Sequence, residues 1–220
     1  MTYNACLPQS IDAVVFDLGG VLINWNPRHL YRKIFGEDEA GMEAFLTNVC
    51  NTAWNDCQDR GRSWAEAIAD ATARYPAHES NIKAYHERWA EMLAGSIEGT
   101  VAVLEELKDR GVRLLALTNW SAETFHIAEE RFAFLQWFEG ILVSGREHLM
   151  KPDPAIFQLL IKRYQLEPSS TVFIDDSKGN VEAAINERLR GLHFSGADKL
   201  RQDLALLGLT LSNNQGGRGK

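Results

Sequence analysis

Four groups of polar residues each stand at the end of an apolar run. Asp17 falls in "AVVFDLG" (13–19), and Thr118 and Asn119 close "RLLALTN" (113–119). Lys151 follows "GILVSG" (140–145) and precedes Pro152, and Asp175 and Asp176 fall in "TVFIDDS" (171–177). Brought to one point, three carboxylates form an oxygen-rich site suited to Mg²⁺. An ion held there screens a phosphate group from an attacking anion. Asp17 can then attack phosphorus and form an aspartyl-phosphate. The backbone N–H groups of Leu18 and Gly19 can face phosphate oxygens where neighbouring side chains stay away, which suits glycine. Thr118 and Asn119 can donate hydrogen bonds to the same oxygens. Lys151 brings positive charge that steadies the nucleophile and the developing negative charge. Asp175 and Asp176 are adjacent like charges, so something positive belongs near them.

These residues need a scaffold that collects strand ends. The runs at 13–19, 113–119, 140–145, 171–177 and 190–196 ("RGLHFSG") read as short strands covered on both faces. Helical patterns separate them. "TVAVLEELKDRG" (100–111) stops at Gly111. "PDPAIFQLLIKRYQL" (152–166) starts with Asp153 as N-cap and Pro154 at the first helical position. "SKGNVEAAINERLRG" (177–191) starts with Ser177 as cap. The alternation predicts an α/β fold, a doubly wound parallel sheet. Ligands of such sheets bind at the carboxyl ends of the strands. Residues 25–92 break the rhythm: "HLYRKIF", "GMEAFLTNVC", "SWAEAIADATARY" and "NIKAYHERWAEMLA" read as helices, with no strand among them. The expectation is a small α-helical domain at 25–92, inserted into an α/β core made of 1–24 and 93–211.

The chain has 220 residues, 45% of them hydrophobic, enough for a core domain with an insert. Its net charge is −7 and it has no Lys/Arg run, which argues against nucleic acid or a membrane surface as partner. No stretch approaches the roughly 20 apolar residues of a membrane span. "MTYNACLPQS" lacks a basic-then-apolar secretory pattern, so a cytoplasmic protein is expected, monomeric or homodimeric. Cys6, Cys50 and Cys57 read as free thiols of a reducing compartment, with Cys50 and Cys57 on one helix face. The tail at 212–220, "SNNQGGRGK", is expected to be disordered.

In order and at this spacing, "FDLGGVL", "LTNWS", "VSGREHLMKPDPAIF" and "FIDDSKGNVEAA" resemble the four motifs of the haloacid dehalogenase superfamily of hydrolases. The match is to phosphatase-like members with a helical cap inserted after the first motif. The resemblance implies a Rossmann-like core, Mg²⁺ as cofactor and a small phosphate monoester as substrate. It implies Asp17 as nucleophile, Thr118 as phosphate-binding hydroxyl with Asn119 beside it, and Lys151 as the third-motif lysine. Asp175 and Asp176 match the acidic pair, with Asp176 the direct metal ligand and Asp175 acting directly or through water. The residue at Gly19 lends its backbone carbonyl to the metal.

One position departs from the pattern. Typical phosphatases of this family carry a second Asp two residues after the nucleophile, which protonates the leaving group and later activates water. Here that residue is Gly19. Loss of a general acid costs about 10²–10⁴ in rate. Similar "FDLG" motifs occur in bacterial α-D-glucose-1-phosphate phosphatases, which adds sugar phosphates to the implied substrates. Two alternatives follow from Gly19: a metal-independent 2-haloacid dehalogenase, or a catalytically weak binding protein. True dehalogenases, however, carry serines where this chain has Asp175 and Asp176. From the insert, Trp25, Asn26, Arg28, Trp54, Asp59 and Arg60 are candidates to reach the site. Trp54 and Trp64 also read as insert core, Trp120 reads as pocket lining, and Gly61 in "QDRGRSW" reads as a turn able to dip toward the site.

Overall fold

The computed structural model describes residues 10–211. Its elements, in chain order, are β1 (Ala13–Phe16), β2 (Ile23–Trp25), α1 (Arg28–Phe35), α2 (Glu39–Asn48), α3 (Thr52–Asp59), α4 (Trp64–Arg74) and α5 (Glu79–Glu87). There follow β3 (Leu93–Ser96), α6 (Glu98–Asp109), β4 (Arg113–Thr118), α7 (Phe125–Arg131), β5 (Gly140–Val143) and α8 (Ser144–Glu147). The chain closes with α9 (Pro154–Tyr164), β6 (Thr171–Asp175), α10 (Lys178–Asn186), β7 (Arg190–His193) and α11 (Ala197–Leu206). Cys6 and the tail 212–220 lie outside the described residues.

Five strands form one parallel sheet in the order β5-β4-β1-β6-β7. Alternate residues of its strands serve two cores. Val14, Phe16, Ala116 and Ile174 pack on the side of the inserted helices, whereas Val15, Leu115, Leu117 and Phe173 pack on Ile156, Phe157 and Leu160 of α9. Both faces are therefore buried, and the central strands can be apolar throughout. β7 departs from the expectation of a buried strand. It is an edge, and its residues are half-buried or exposed. The chain runs outward from β1 to β4 and β5, then returns to β6 on the other side of β1. That reversal opens a crevice at the carboxyl ends of β1, β4 and β6.

The other local differences have physical causes. β2 and β3 pair antiparallel, and β3 begins within the segment expected to be helical to Ala94. Its partner lies some seventy residues away, so local periodicity carries no trace of the pairing. Helix α3 is short and largely polar, and it starts because Asn51 accepts the Trp54 N–H at 2.8 Å. Cys50 lies buried in the link before α3, whereas Cys57 is exposed on α3, so they share no face. Asp153 caps α9 by accepting the Ala155 N–H at 2.9 Å, as expected. Ser177 holds the cap position of α10, but its hydroxyl makes no capping bond. Among the described residues no helix is long and apolar enough to cross a membrane.

Helices α1–α5 enclose an aromatic core of Tyr31, Phe45, Trp54, Trp64, Tyr85 and Trp89. Trp64 stacks on Tyr85 at 5.6 Å, and Trp89 meets Trp120 beyond the end of β4 at 6.1 Å. Polar anchors reinforce that junction. The Trp64 indole donates to the Ser121 hydroxyl at 3.0 Å, and the Ser144 hydroxyl donates to the Asp59 carbonyl at 2.5 Å. Gly61, between α3 and α4, makes the close approach possible. Its φ is +103°, and a Cβ there would collide with the His148 ring. Gly61→Ala is expected to lower unfolding stability by about 1–3 kcal/mol, read as a lower urea midpoint at unchanged slope.

Candidate active site

Asp17 follows β1 directly and is nearly buried. Its Oδ1 accepts the Leu18 N–H at 2.7 Å and lies 2.9 Å from the Lys151 Nζ. Lys151, in the link between β5 and α9, is only 1% exposed. The same Nζ donates to Asp175 Oδ2 at 2.6 Å, which provides the positive partner that the acidic pair calls for. Burial works against the charge on Lys151, but Asp17 and Asp175 outweigh it and hold the ammonium above the usual lysine range. Burial, opposed by Lys151 and reinforced by Asp175, pushes the Asp17 carboxyl up to about 7.

Asp175 ends β6 with both oxygens engaged. Oδ1 accepts the Ser177 N–H at 2.8 Å and the Asn180 amide at 3.0 Å; Oδ2 takes Asn180 at 3.1 Å in addition to Lys151. The Asp176 carboxylate is exposed and, among the described residues, bonds to no other residue's side chain. Asp17, Asp175 and Asp176 each offer an oxygen within 4.8 Å of the others. The two glycines after Asp17 have different reasons. Gly20 has φ +75°, and a Cβ there would strike the Asp176 carboxylate. At Gly19 a Cβ would meet nothing within 4 Å, so the space beside Asp17 is open.

Two expected phosphate donors are used differently. The Leu18 N–H is taken by Asp17. The Asn119 side chain clamps the Lys151 backbone, donating to its carbonyl at 3.0 Å and accepting its N–H at 2.9 Å. Asn119 thereby positions the lysine across the gap between β4 and α9. The Thr118 hydroxyl has no protein partner among the described residues and remains available at the end of β4.

These groups form the floor of a cleft of about 500 Å³. Its walls come largely from the insert: Trp25, Asn26, Arg28, Asp59, Tyr85 and Trp89, with Trp120 from the core. Trp54 is not on the cleft but in the aromatic core, and Arg60 is exposed outside it, so neither reaches the site. Arg28 is held by a bidentate pair with Glu43 at 2.5 and 2.7 Å. The sequence reading missed Asn180, Asn55, Asp56, Tyr85 and Trp89. For Asn180 a signal existed: it stands one turn into the helix that opens just after the acidic pair. For Tyr85 and Trp89 only the i, i+4 spacing was present, and it reads equally as core.

Residues 11–186 match the haloacid dehalogenase-like hydrolase family, and the chain belongs to it. It is thus an enzyme, a hydrolase of the phosphatase-like kind. Among its curated relatives is a sesquiterpene phosphatase of Aspergillus oryzae, 27% identical over 183 residues, covering 83% of this chain and 89% of the relative. Another is a phosphorylated carbohydrates phosphatase of Thermotoga maritima, 23% identical, covering 84% of this chain and 87% of the relative. A HAD family enzyme of Bacteroides thetaiotaomicron shares the fold, with a TM-score of 0.69, 21% identity, 89% of this chain covered and 99% of that one.

Proposed function

We propose that this chain is a Mg²⁺-dependent phosphatase that cleaves a small phosphate monoester through an aspartyl-phosphate on Asp17. The observation that carries this reading is the convergence of Asp17, Asp175 and Asp176 oxygens within 4.8 Å, beside a buried lysine. The donor set fits a hard divalent cation. Among the described residues, the Asp176 carboxylate, the second oxygen of Asp17 and the Gly19 carbonyl accept no hydrogen bond from another residue, and they are the groups that would hold it. Asp175, both of whose oxygens already accept hydrogen bonds, would support the ion less directly. Bound there, Mg²⁺ would supply positive charge that offsets the charge of the phosphate.

The protein groups then divide the work. Lys151, 2.9 Å from Asp17 Oδ1, holds the nucleophile in place and offsets its charge as it attacks phosphorus. Asn119 holds Lys151. The Thr118 hydroxyl donates to a phosphoryl oxygen, where charge develops. Residues 25–92 act as a cap over the core pieces 1–24 and 93–211, limiting the cleft to small substrates and excluding water. A sugar phosphate is the leading substrate class, supported by the carbohydrate phosphatase of Thermotoga maritima. The Bacteroides enzyme was solved in complex with magnesium and inorganic phosphate, which agrees with the metal assignment. A metal-free dehalogenase fits this site less well, because its chemistry gives no use to an exposed, unpaired Asp176 beside Asp17.

The test is phosphate release from a panel of monoesters, sugar phosphates included, with Mg²⁺ and with EDTA. Turnover that requires Mg²⁺ is expected. Hydrolysis of 2-haloacids undiminished by EDTA would overturn the reading.

A further inference from the structure

Gly19 leaves the chemistry one proton donor short, and the space beside it is open. We propose that Asp59, at the end of α3, is the general acid and base of this enzyme, a role that rests on the phosphatase reading above. The cleft itself narrows the choice. Its titratable groups are Asp17, Arg28, Cys50, Asp56, Asp59, Tyr85, Lys151 and Asp176, and no histidine is among them. Asp17, Lys151 and Asp176 have their tasks, and Arg28 is bound to Glu43. Burial pushes the Cys50 thiol up to about 12 and holds the Tyr85 hydroxyl well above its ordinary range. Asp56 is more open to solvent. Asp59 remains.

Its geometry suits the task. The side chain is buried, and Oδ2 accepts the Asn55 amide at 2.9 Å. Oδ1 is sealed from bulk water and makes no hydrogen bond of normal geometry, although the Ser121 N–H lies near the carboxyl. A buried carboxyl oxygen without a partner is costly unless it carries a proton or meets a ligand. Asp59 belongs to the insert but is fastened to the core. The Ser144 hydroxyl donates to its carbonyl at 2.5 Å and accepts the Trp120 N–H at 2.9 Å. That tie fixes Asp59 against the residue that follows Thr118 and Asn119.

The groups that act on the carboxyl are the charges of Asp56 on its own helix and Asp17 from the end of β1, the Tyr85 hydroxyl from α5, and the Asn55 amide and Ser121 N–H. None is a cation. Burial, with Asp56 next, pushes the carboxyl up to about 8, so at neutral pH it holds a proton. In the first half-reaction Asp17 bonds to phosphorus and the bond from phosphorus to the ester oxygen breaks. The Asp59 proton passes to that oxygen, releasing the alcohol and leaving Asp59 as carboxylate. In the second half-reaction Asp59 takes a proton from water, and the water oxygen bonds to phosphorus. The bond from phosphorus to Asp17 then breaks, and inorganic phosphate leaves.

The experiment compares wild type with Asp59→Asn on p-nitrophenyl phosphate and on alkyl and sugar phosphates. On the alkyl and sugar esters, kcat/KM is expected to fall about 10²–10⁴-fold. On p-nitrophenyl phosphate, whose leaving group needs no proton, kcat/KM stays within a few-fold while kcat falls, giving a burst of p-nitrophenol. Thermal unfolding supplies a readout independent of turnover. The folded protein keeps the Asp59 proton up to about pH 8, whereas the unfolded chain releases it near 3.8. Wild-type stability therefore falls as pH rises through that window, and the Asn variant loses this component. An equal loss of kcat/KM on every ester, or no loss on any, would overturn the role of Asp59 alone. Absence of wild-type turnover on every ester would overturn the phosphatase reading itself.

Discussion

Asp17→Asn is expected to abolish turnover, with kcat/KM down by at least about 10⁴, while the protein stays folded. Loss of the nucleophile removes the covalent step, and the remaining groups can only bind and orient. The substitution disturbs little else. An Asn oxygen still accepts the Leu18 N–H, and Lys151 keeps Asp175 as its ion partner at 2.6 Å. Stability separates loss of chemistry from loss of fold. Burial raises the Asp17 carboxyl from 3.8 to about 7 in the metal-free protein. The folded state holds that proton where the unfolded chain does not, so this group's contribution declines as pH rises from about 4 to 7. Asn has no such dependence. At pH 8 in EDTA the variant is expected to melt at or above the wild-type temperature. Retained turnover in the folded variant would point to a different nucleophile.

Lys151→Met strikes the opposite partner and is expected to damage both stability and rate. Lys151 is the one cation in contact with the buried Asp17 and Asp175 carboxylates among the described residues. Met fills the space of the side chain but leaves two buried acids uncompensated, a loss of about 3–5 kcal/mol. Activity of the folded fraction is expected to fall about 10²–10³-fold, since the charge that steadies the attacking group is gone. Chemical denaturation in EDTA at two pH values tests the cause. Burial already raises the Asp17 carboxyl and Lys151 opposes that rise, so without the lysine the folded state binds this proton more readily still than the unfolded chain, and the deficit must shrink as pH falls. A deficit independent of pH would assign Lys151 a packing role instead.

These two variants sit on residues readable from the chain alone, whereas Asp59 and Asn119 sit on residues whose roles were not. Asp17, Thr118 and Asp175 announce themselves because each interrupts an apolar run at the carboxyl end of a strand, a signal contained in a few neighbouring residues; Lys151 lies in the link after β5 and α8 and is marked only by the Pro152 that follows it. Asn119 looks like a phosphate donor by the same rule. Its amide is instead spent on a backbone 32 residues away.

The sequence by itself determined the alternation of strands and helices, the interruption of that alternation after the first strand, and which acids gather where strands end. Those properties depend on local periodicity and on polar residues at run termini, and both are written in short windows. Only the tertiary structure decided that Lys151 is buried rather than solvated, that Gly20 makes room for Asp176, and that a polar helix unmarked in the sequence delivers Asp59 to the cleft. Each of these rests on segments distant in sequence excluding water from one another. Burial of that kind sets the proton affinity of a carboxyl, and no local pattern of residues encodes it.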